Sequence, residues 1–458
     1  MVLGLALALV LLDWLIPAFN SLWFISFSKT DLVVDFAGDA GLYLVLAGFT
    51  VLIEVVAGLY PALYLSRFQP ATVVKGQSSL RRRSGLTLRR GLTVAQLTLS
   101  LLFMISTMLL YRQSAYMLEA DYGFEAEHII NVNLRGVPYD VFRNAAVASP
   151  SVVGVSASSY LPAVGTRSGT WLEREGMDEP IKGYGYAIDE EFIDNLGLNL
   201  LAGRNFSMDF GTDENRAVIL NETALRALGL GTPLDAIGAT ISLDGNTEAE
   251  VIGVVADFQS NLIMLDLSPV VLTYTPGEFF HANVRIHPGE QERAVADLQT
   301  IWKTFNRPEP LDWGLYTVQL RNSGEMLLFG DFIGIISLIA GLAIFIACLG
   351  LLAMATYSAV IRTKEVGIRK VMGAGVWNVV LLLSREFLAL LMVAVVIAVP
   401  LAWFINNAWL AGFANRIDFG VGTMAAGVVA VLVLALVTTG SQTIRAALAN
   451  PVESLRYE

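Results

Sequence analysis

The chain has 458 residues, 55% hydrophobic and 16% charged, with a mean hydropathy of +0.59. That leaves too little charge to wet a soluble surface and excludes an ordinary soluble protein. The formal net charge of −11 is unevenly held: residues 113–325 carry 30 acids against 13 bases, and the rest of the chain is +6. An acidic central stretch excludes nucleic acid as its partner. The single cysteine, Cys348, sits in an apolar run, which excludes an intrachain disulfide and a Cys-based metal cluster.

Apolar runs at about 1–16, 41–65, 91–111, 328–357, 376–405 and 421–440 predict six transmembrane helices. All but the first are long enough to cross a hydrocarbon core of roughly 30 Å with their backbone hydrogen bonds satisfied internally. The first run lacks a basic n-region and a small-residue cleavage site, so it reads as a short span and not as a cleaved signal. Residues 67–90 hold Arg67, Lys75, Arg81, Arg82, Arg83, Arg89 and Arg90 with no acid, and the loop 358–375 holds Arg362, Lys364, Arg369 and Lys370. The positive-inside rule places both segments, and with them both termini, in the cytoplasm. Anionic lipid is the expected partner of these bases. Glu54 lies mid-span in TVLIEVVAGLY, where a carboxylate is costly; it marks a candidate intramembrane polar site or a hydrogen bond to a neighbouring helix. Arg385 and Glu386 begin an apolar run, where Arg385 can snorkel to the headgroups.

Residues 112–327 are too long for a connection and predict a folded α+β domain outside the membrane. Strand, helix and strand are expected at Ile129–Leu134, Val137–Ala148 and Val152–Tyr160, and again at His281–Ile286, Glu290–Phe305 and Trp313–Val318. These two βαβ units predict one sheet, with a subdomain inserted between them. Within the insertion the expectations are a helix Asp189–Leu196 capped by Asp189, a helix Asn221–Leu228 capped by Asn221 and stopped by Gly229, and a strand Ala249–Val255. GYGYAI at 183–188 lacks the third glycine and following helix of a dinucleotide loop and reads as a strand or turn.

RFQPATVVKG at 67–76 is similar to LANPVESLRY at 448–457, each following a span, and LLDWLIPAFN at 11–20 can be laid over PLAWFINNAW at 400–409. On that register the chain is expected to begin inside a repeat. Residues 1–66 then form two transmembrane helices of a first, incomplete copy. A basic linker 67–90, a span 91–111, the outer domain 112–327, a three-helix domain 328–445 and a cytoplasmic tail 446–458 follow.

RTKEVGIRKVMGA at 362–374 resembles the signature loop of FtsX-like ABC permeases. GLNLLAGRNF at 197–206, AVILNETALRALGL at 217–230 and VIGVVADF at 251–258 resemble the MacB-like periplasmic core domain. The chain is thereby similar to the MacB/FtsX permease family over nearly its whole length. The resemblance implies a bacterial inner-membrane permease subunit of the mechanotransmission type, with its large domain in the periplasm, exporting or extracting a lipoprotein, peptide or amphiphile. It also implies a dimeric or pseudo-dimeric assembly with an ABC-type ATPase that binds ATP and magnesium. Arg362, Lys364, Glu365, Val366, Gly367, Arg369 and Lys370 are then the expected coupling contacts, with Glu365 foremost, whereas the loop pattern alone fits an ordinary positive-inside segment.

No G-x-x-x-x-G-K-[ST] string is present, so ATP hydrolysis is assigned to a partner and no cofactor to this chain. His128, His281 and His287 show no ligand spacing, and no nucleophile elbow occurs, so neither a metal site nor a membrane enzyme is expected. The alternative function is an ATPase-coupled scaffold that regulates a periplasmic partner such as a cell-wall hydrolase. A periplasmic adaptor would accompany the export role.

Overall fold

The computed structural model describes residues 10, 12–13, 15–22, 25, 40–66, 79–165, 168–261, 263, 265–361, 368–369, 372 and 375–448. In chain order, α1 (Ala40–Ser66) and α2 (Ser79–Glu119) precede β1 (Ile129–Asn133), α3 (Tyr139–Val147) and β2 (Val152–Ser158). There follow β3 (Ser168–Glu173), β4 (Ile181–Ala187), α4 (Phe192–Asn195), β5 (Leu200–Gly203), β6 (Ala217–Asn221), α5 (Glu222–Leu228), β7 (Thr240–Leu243), β8 (Thr247–Val255) and β9 (Val270–Thr273). The chain then forms β10 (His281–Ile286), α6 (Gln291–Thr304), β11 (Asp312–Leu315) and α7 (Tyr316–Arg321), and ends in three long helices, α8 (Gly324–Ile361), α9 (Val376–Leu410) and α10 (Val421–Leu448). Two compact units result: Met1–Arg112 with Gly330–Ala408 and Asp418–Glu458, and Gln113–Phe329 with Trp409–Ile417.

Among the described residues, four stretches are long and apolar enough to cross a membrane: Arg90–Glu119, Met326–Ser358, Ser384–Leu410 and Val421–Ile444. Of the two further expected spans, 41–65 coincides with α1, whose apolar part is the shorter Tyr43–Val55. Most of 1–16 lies outside the described residues. Lipid offers no hydrophobic drive between helices, so close approach of small residues must hold them. Ala347, Ala355, Ala394 and Ala398 are buried beside Leu97, Leu101, Phe387 and Leu391 in one core. A Cβ added at Gly427 of α10 would stand 2.6 Å from Ile105 Cγ1 of α2, and one at Gly350 of α8 would stand 2.7 Å from Gln96 Oε1 of the same helix. α2 is thus the helix on which α8 and α10 close. Two buried polar side chains of the bundle bond to their own helix: Asn406 donates to Ala402 O (2.8 Å) and Thr439 to Ala435 O (2.7 Å).

The second unit holds two sheets. The first has four strands in the order β11-β1-β10-β2, every pairing antiparallel. Period-2 alternation sorts β1: Ile130 and Val132 join Phe142 of α3 and Leu298 and Trp302 of α6, while Ile129 faces the other core with Phe192 and Phe258. The strand expected over Trp313–Val318 stops at Leu315, and the chain turns into α7. There the buried Tyr316 donates its hydroxyl to Pro162 O (2.9 Å). A short apolar run does not by itself distinguish strand from helix.

The second sheet is built from the inserted segment and runs β5-β8-β6-β9-β4-β3-β7, with β7 also paired to β8. Six strands therefore close into a ring, β8-β6-β9-β4-β3-β7, and β5 adds to the far end of β8. The β7–β8 hairpin turns through Asp244 and Gly245, both at positive φ (50° and 72°), the backbone that Asp-Gly favours. Where β3 meets β7 only two residue pairs form. Asp244 reinforces that seam by accepting from Trp171 N (2.8 Å) and Thr170 Oγ1 (3.0 Å). One end of the ring is plugged by Ala224, Leu225 and Leu228 of α5 packed on Leu172, Leu220, Ile241 and Val251.

Candidate functional site

The sequence points first to the loop before α9. Arg362, Lys364, Glu365, Val366, Gly367 and Lys370 lie outside the described residues. α8 continues through Ile361, past the start expected for the loop. Ile368 and Arg369 are helical, and Met372 N donates to Ile368 O (3.0 Å). Ile368, Arg369 and Met372 are exposed there, Met372 at 81%. Glu54 sits on α1 and is exposed within this chain.

Near the same end of the bundle, Arg90 of α2 pairs with Glu386 of α9. Arg385 of the Arg385–Glu386 pair is exposed and Glu386 is half-buried. Glu386 ties two helices whose sequence positions are 296 apart. Farther along α2, Arg112 donates to the Thr423 hydroxyl of α10.

The opposite ends of α2, α8 and α9, and the segment leading to α10, belong to the second unit. α2 enters it at Gln113, whose side chain is fully buried. Its Nε2 donates to Asn415 O (2.8 Å) and its Oε1 accepts from Ile417 N (3.0 Å), so both functions of one amide hold the segment 409–417 that joins α9 to α10. Asn415 Nδ2 reaches Ile263 O (3.1 Å) in the loop after β8. Phe329 of α8 stacks on Trp409 (centroids 6.0 Å, planes 9° apart), and Trp409 lies 4.5 Å from Phe413. A buried amide with both functions paired is costly to pull out, so this contact behaves as a bolt.

The three domain-like strings meet in one place. Gly203 has φ +80°, and a Cβ there would stand 2.1 Å from Ile252 O, so only glycine lets β5 cross β8. Arg204 then grips the buried Asp213 through both nitrogens (2.6 and 2.7 Å). That pairing holds the Asp213 carboxyl below the usual carboxylate range. Asn221 accepts from Ala224 N and from Val270 N (both 2.9 Å) and is the expected cap of α5, while Gly229 ends that helix at φ +65°. Asp257 accepts from Thr223 N (2.7 Å) and Arg226 (2.7 Å). These residues cross-link neighbouring segments of the chain.

Asp189 departs from its expected role. The helix begins only at Phe192, its cap position is Glu191, and no side chain caps it. Asp189 instead turns inward, 1% exposed, and accepts from the Tyr139 hydroxyl of α3. Burial raises its carboxyl to about 7, and pushes the Tyr139 hydroxyl well above its ordinary range. His281 is half-buried at the start of β10, and its desolvation lowers its pKa. Among the described residues no group of three His, Cys, Asp or Glu side chains could hold a metal ion.

Residue order alone does not disclose Gln113 and Asn415, because nothing local relates positions 302 apart. A polar glutamine at the end of an apolar span and a short polar segment between two spans are the only signals.

Long apolar helices, with a large α+β domain inserted in sequence between the first and second long spans, mark a membrane protein with one large domain outside its spans. Residues 91–301 match the family model of the MacB-like periplasmic core domain, and 337–451 match that of the FtsX-like permease C-terminal domain. The chain belongs to the MacB/FtsX-like ABC permease family, whose members work with an ABC ATPase and are generally not enzymes themselves. The periplasmic region of MacB from Actinobacillus actinomycetemcomitans is similar at 18% identity over 44% of this chain and 94% of that one, with a TM-score of 0.33. The extracellular domain of the noncanonic ABC-type transporter YknZ from Gram-positive bacteria is 15% identical over 41% and 99%, with a TM-score of 0.31. A domain of a permease protein from Porphyromonas gingivalis is 15% identical over 41% and 89%, with a TM-score of 0.30. No curated protein matches the sequence.

Proposed function

We propose that the chain is the permease subunit of a mechanotransmission ABC transporter in the bacterial inner membrane, with both termini cytoplasmic. A separate ATPase, loaded with ATP and magnesium, docks on 362–374 through Arg362, Lys364, Glu365, Arg369 and Lys370 around the exposed Ile368 and Met372. Its closure moves the long helices, and the outer domain moves with them to extract or export a lipoprotein, peptide or amphiphile. A dimeric or pseudo-dimeric assembly with a periplasmic adaptor suits that work.

The observation that carries this reading is that the outer unit takes in the ends of three long helices and the segment leading to the fourth: α2 from Gln113, α8 up to Phe329, and the α9–α10 connection at Trp409 and Asn415. Helices so joined transmit displacement; helices ending in loose loops would dissipate it.

The test is ATP turnover and co-purification with the cognate ATPase in nanodiscs. Glu365→Lys is expected to weaken ATPase binding. Gln113→Ala is expected to leave ATPase binding intact while lowering ATP-driven outer-domain movement, read by a distance probe on that domain. Unchanged binding with Glu365→Lys would refute the docking assignment, and unchanged movement with Gln113→Ala would refute the bolt.

A further inference from the structure

The closed six-stranded ring has an interior that changes character along its axis. At the plugged end the inward positions are aliphatic. At the other end the lining side chains become small or hydroxyl-bearing. Register puts Ser168 opposite Gly185 between β3 and β4, aligns Ala187 with Thr273 between β4 and β9, and sets Leu243 opposite Thr247 between β7 and β8. The interior of so small a barrel is ordinarily filled by side chains. Here glycine, alanine and threonine open a mouth that, with Tyr160, Asn215, Glu278 and Phe280 outside the ring, forms a cavity of about 690 Å³. That volume lies within the range of small-molecule sites, roughly 300–1,000 Å³.

Two features limit what could enter. None of the described lining residues is basic, while Asp244 and Glu278 are acidic, so the cavity does not suit phosphates or fatty-acid carboxylates. Because the ring is closed, no free strand edge faces inward, and an extended peptide cannot add to the sheet from within. What remains on offer is hydroxyl, amide and carboxylate groups below an aromatic rim. The rim pairs Tyr160 with Phe280 edge to face at 6.4 Å, Phe280 being 48% exposed. Hydroxyl-rich walls and exposed aromatic faces suit a molecule that presents many hydroxyls and apolar C–H faces.

We infer that the mouth of this barrel, between Thr170, Ala187, Thr273 and the Tyr160–Phe280 rim, is a binding site for a neutral saccharide of about two rings. The site is separate from the ATPase-docking loop and does not depend on that assignment.

The test uses the full chain in nanodiscs free of glycoside detergent, titrated calorimetrically with N,N′-diacetylchitobiose and cellobiose, and with glucose 6-phosphate and spermidine as charged comparators. At least one disaccharide is expected to bind saturably. Phe280→Ala, an exposed position, should weaken it at least ~10-fold. Ala187→Leu, which fills the cavity, should abolish it with the circular dichroism spectrum preserved. If Ala187→Leu fails to fold, Phe280→Ala decides alone. Absence of disaccharide binding, affinity unchanged in Phe280→Ala, or binding of only a charged comparator would each overturn the proposal.

Discussion

The helical bundle and the outer unit are held together by different physics. In the bundle, apolar side chains line both the contacts and the outward faces, so hydrophobicity does not say which face meets which. Close approach decides, as at Gly427 against Ile105 and Gly350 against Gln96. In the outer unit water supplies the drive, and Phe192, Phe258, Ile129 and Tyr186 are each no more than 1% exposed in one core. A glycine in the bundle and a phenylalanine in the outer core thus play equivalent parts. Within the outer unit, the Gln113 side chain is held by a fully paired amide.

The largest effect should come from the outer core. Phe192→Ala removes a buried ring and should cost about 3–5 kcal/mol, measured by denaturant unfolding of the outer unit within the full chain. Gln113→Ala leaves Asn415 O and Ile417 N without their partner; about 1–3 kcal/mol per orphaned group is expected. Next, Gly427→Leu should lower thermal stability by about 1–3 kcal/mol through overpacking. Gly341→Leu in α8, where an added Cβ would meet no neighbour within 4 Å, should change little. Equal effects of the two glycine changes would break the contrast between close-packed and lipid-facing positions.

Asp189 makes the comparison pH-dependent. Its folded-state pKa, about 7, stands above the unfolded value of roughly 3.9 because burial disfavours the charge. The stability this carboxyl contributes is full below about pH 4, where both states are protonated, and is lost as pH rises toward 7, because only the unfolded state releases its proton there. Asp189→Asn should flatten the stability profile of the outer unit across that window, and a profile left unchanged would refute the assignment. The smallest effect is expected at Arg143, whose surface pair with Glu191 (3.2 Å) is half solvated: Arg143→Ala should cost about 0–1 kcal/mol by the same unfolding measurement.

Local signals are legible wherever a residue's role is set by its neighbours in sequence. Asn221 caps and Gly229 stops α5 as their order implies, since a cap and a left-handed terminus need only a few adjacent residues. Asp189 misleads for the same reason: a carboxylate before an apolar run looks like a cap, and only the packing of α3 shows it bonded to Tyr139. The hairpin of β7 and β8 carries a plain Asp-Gly signal, yet its closure onto β3 through Asp244 depends on strands some seventy positions apart.

The sequence by itself determined that long apolar helices flank an acidic α+β domain, and it carried the loop and domain strings of the permease family, because hydropathy, charge and short motifs are written in consecutive residues. Only the tertiary structure decided that six strands close into a ring with an open mouth, that Glu386 answers Arg90, and that Gln113 bolts the α9–α10 connection within the outer unit. Each of those is a pairing between distant positions, selected by which groups would otherwise be buried without a partner, and no local pattern encodes it.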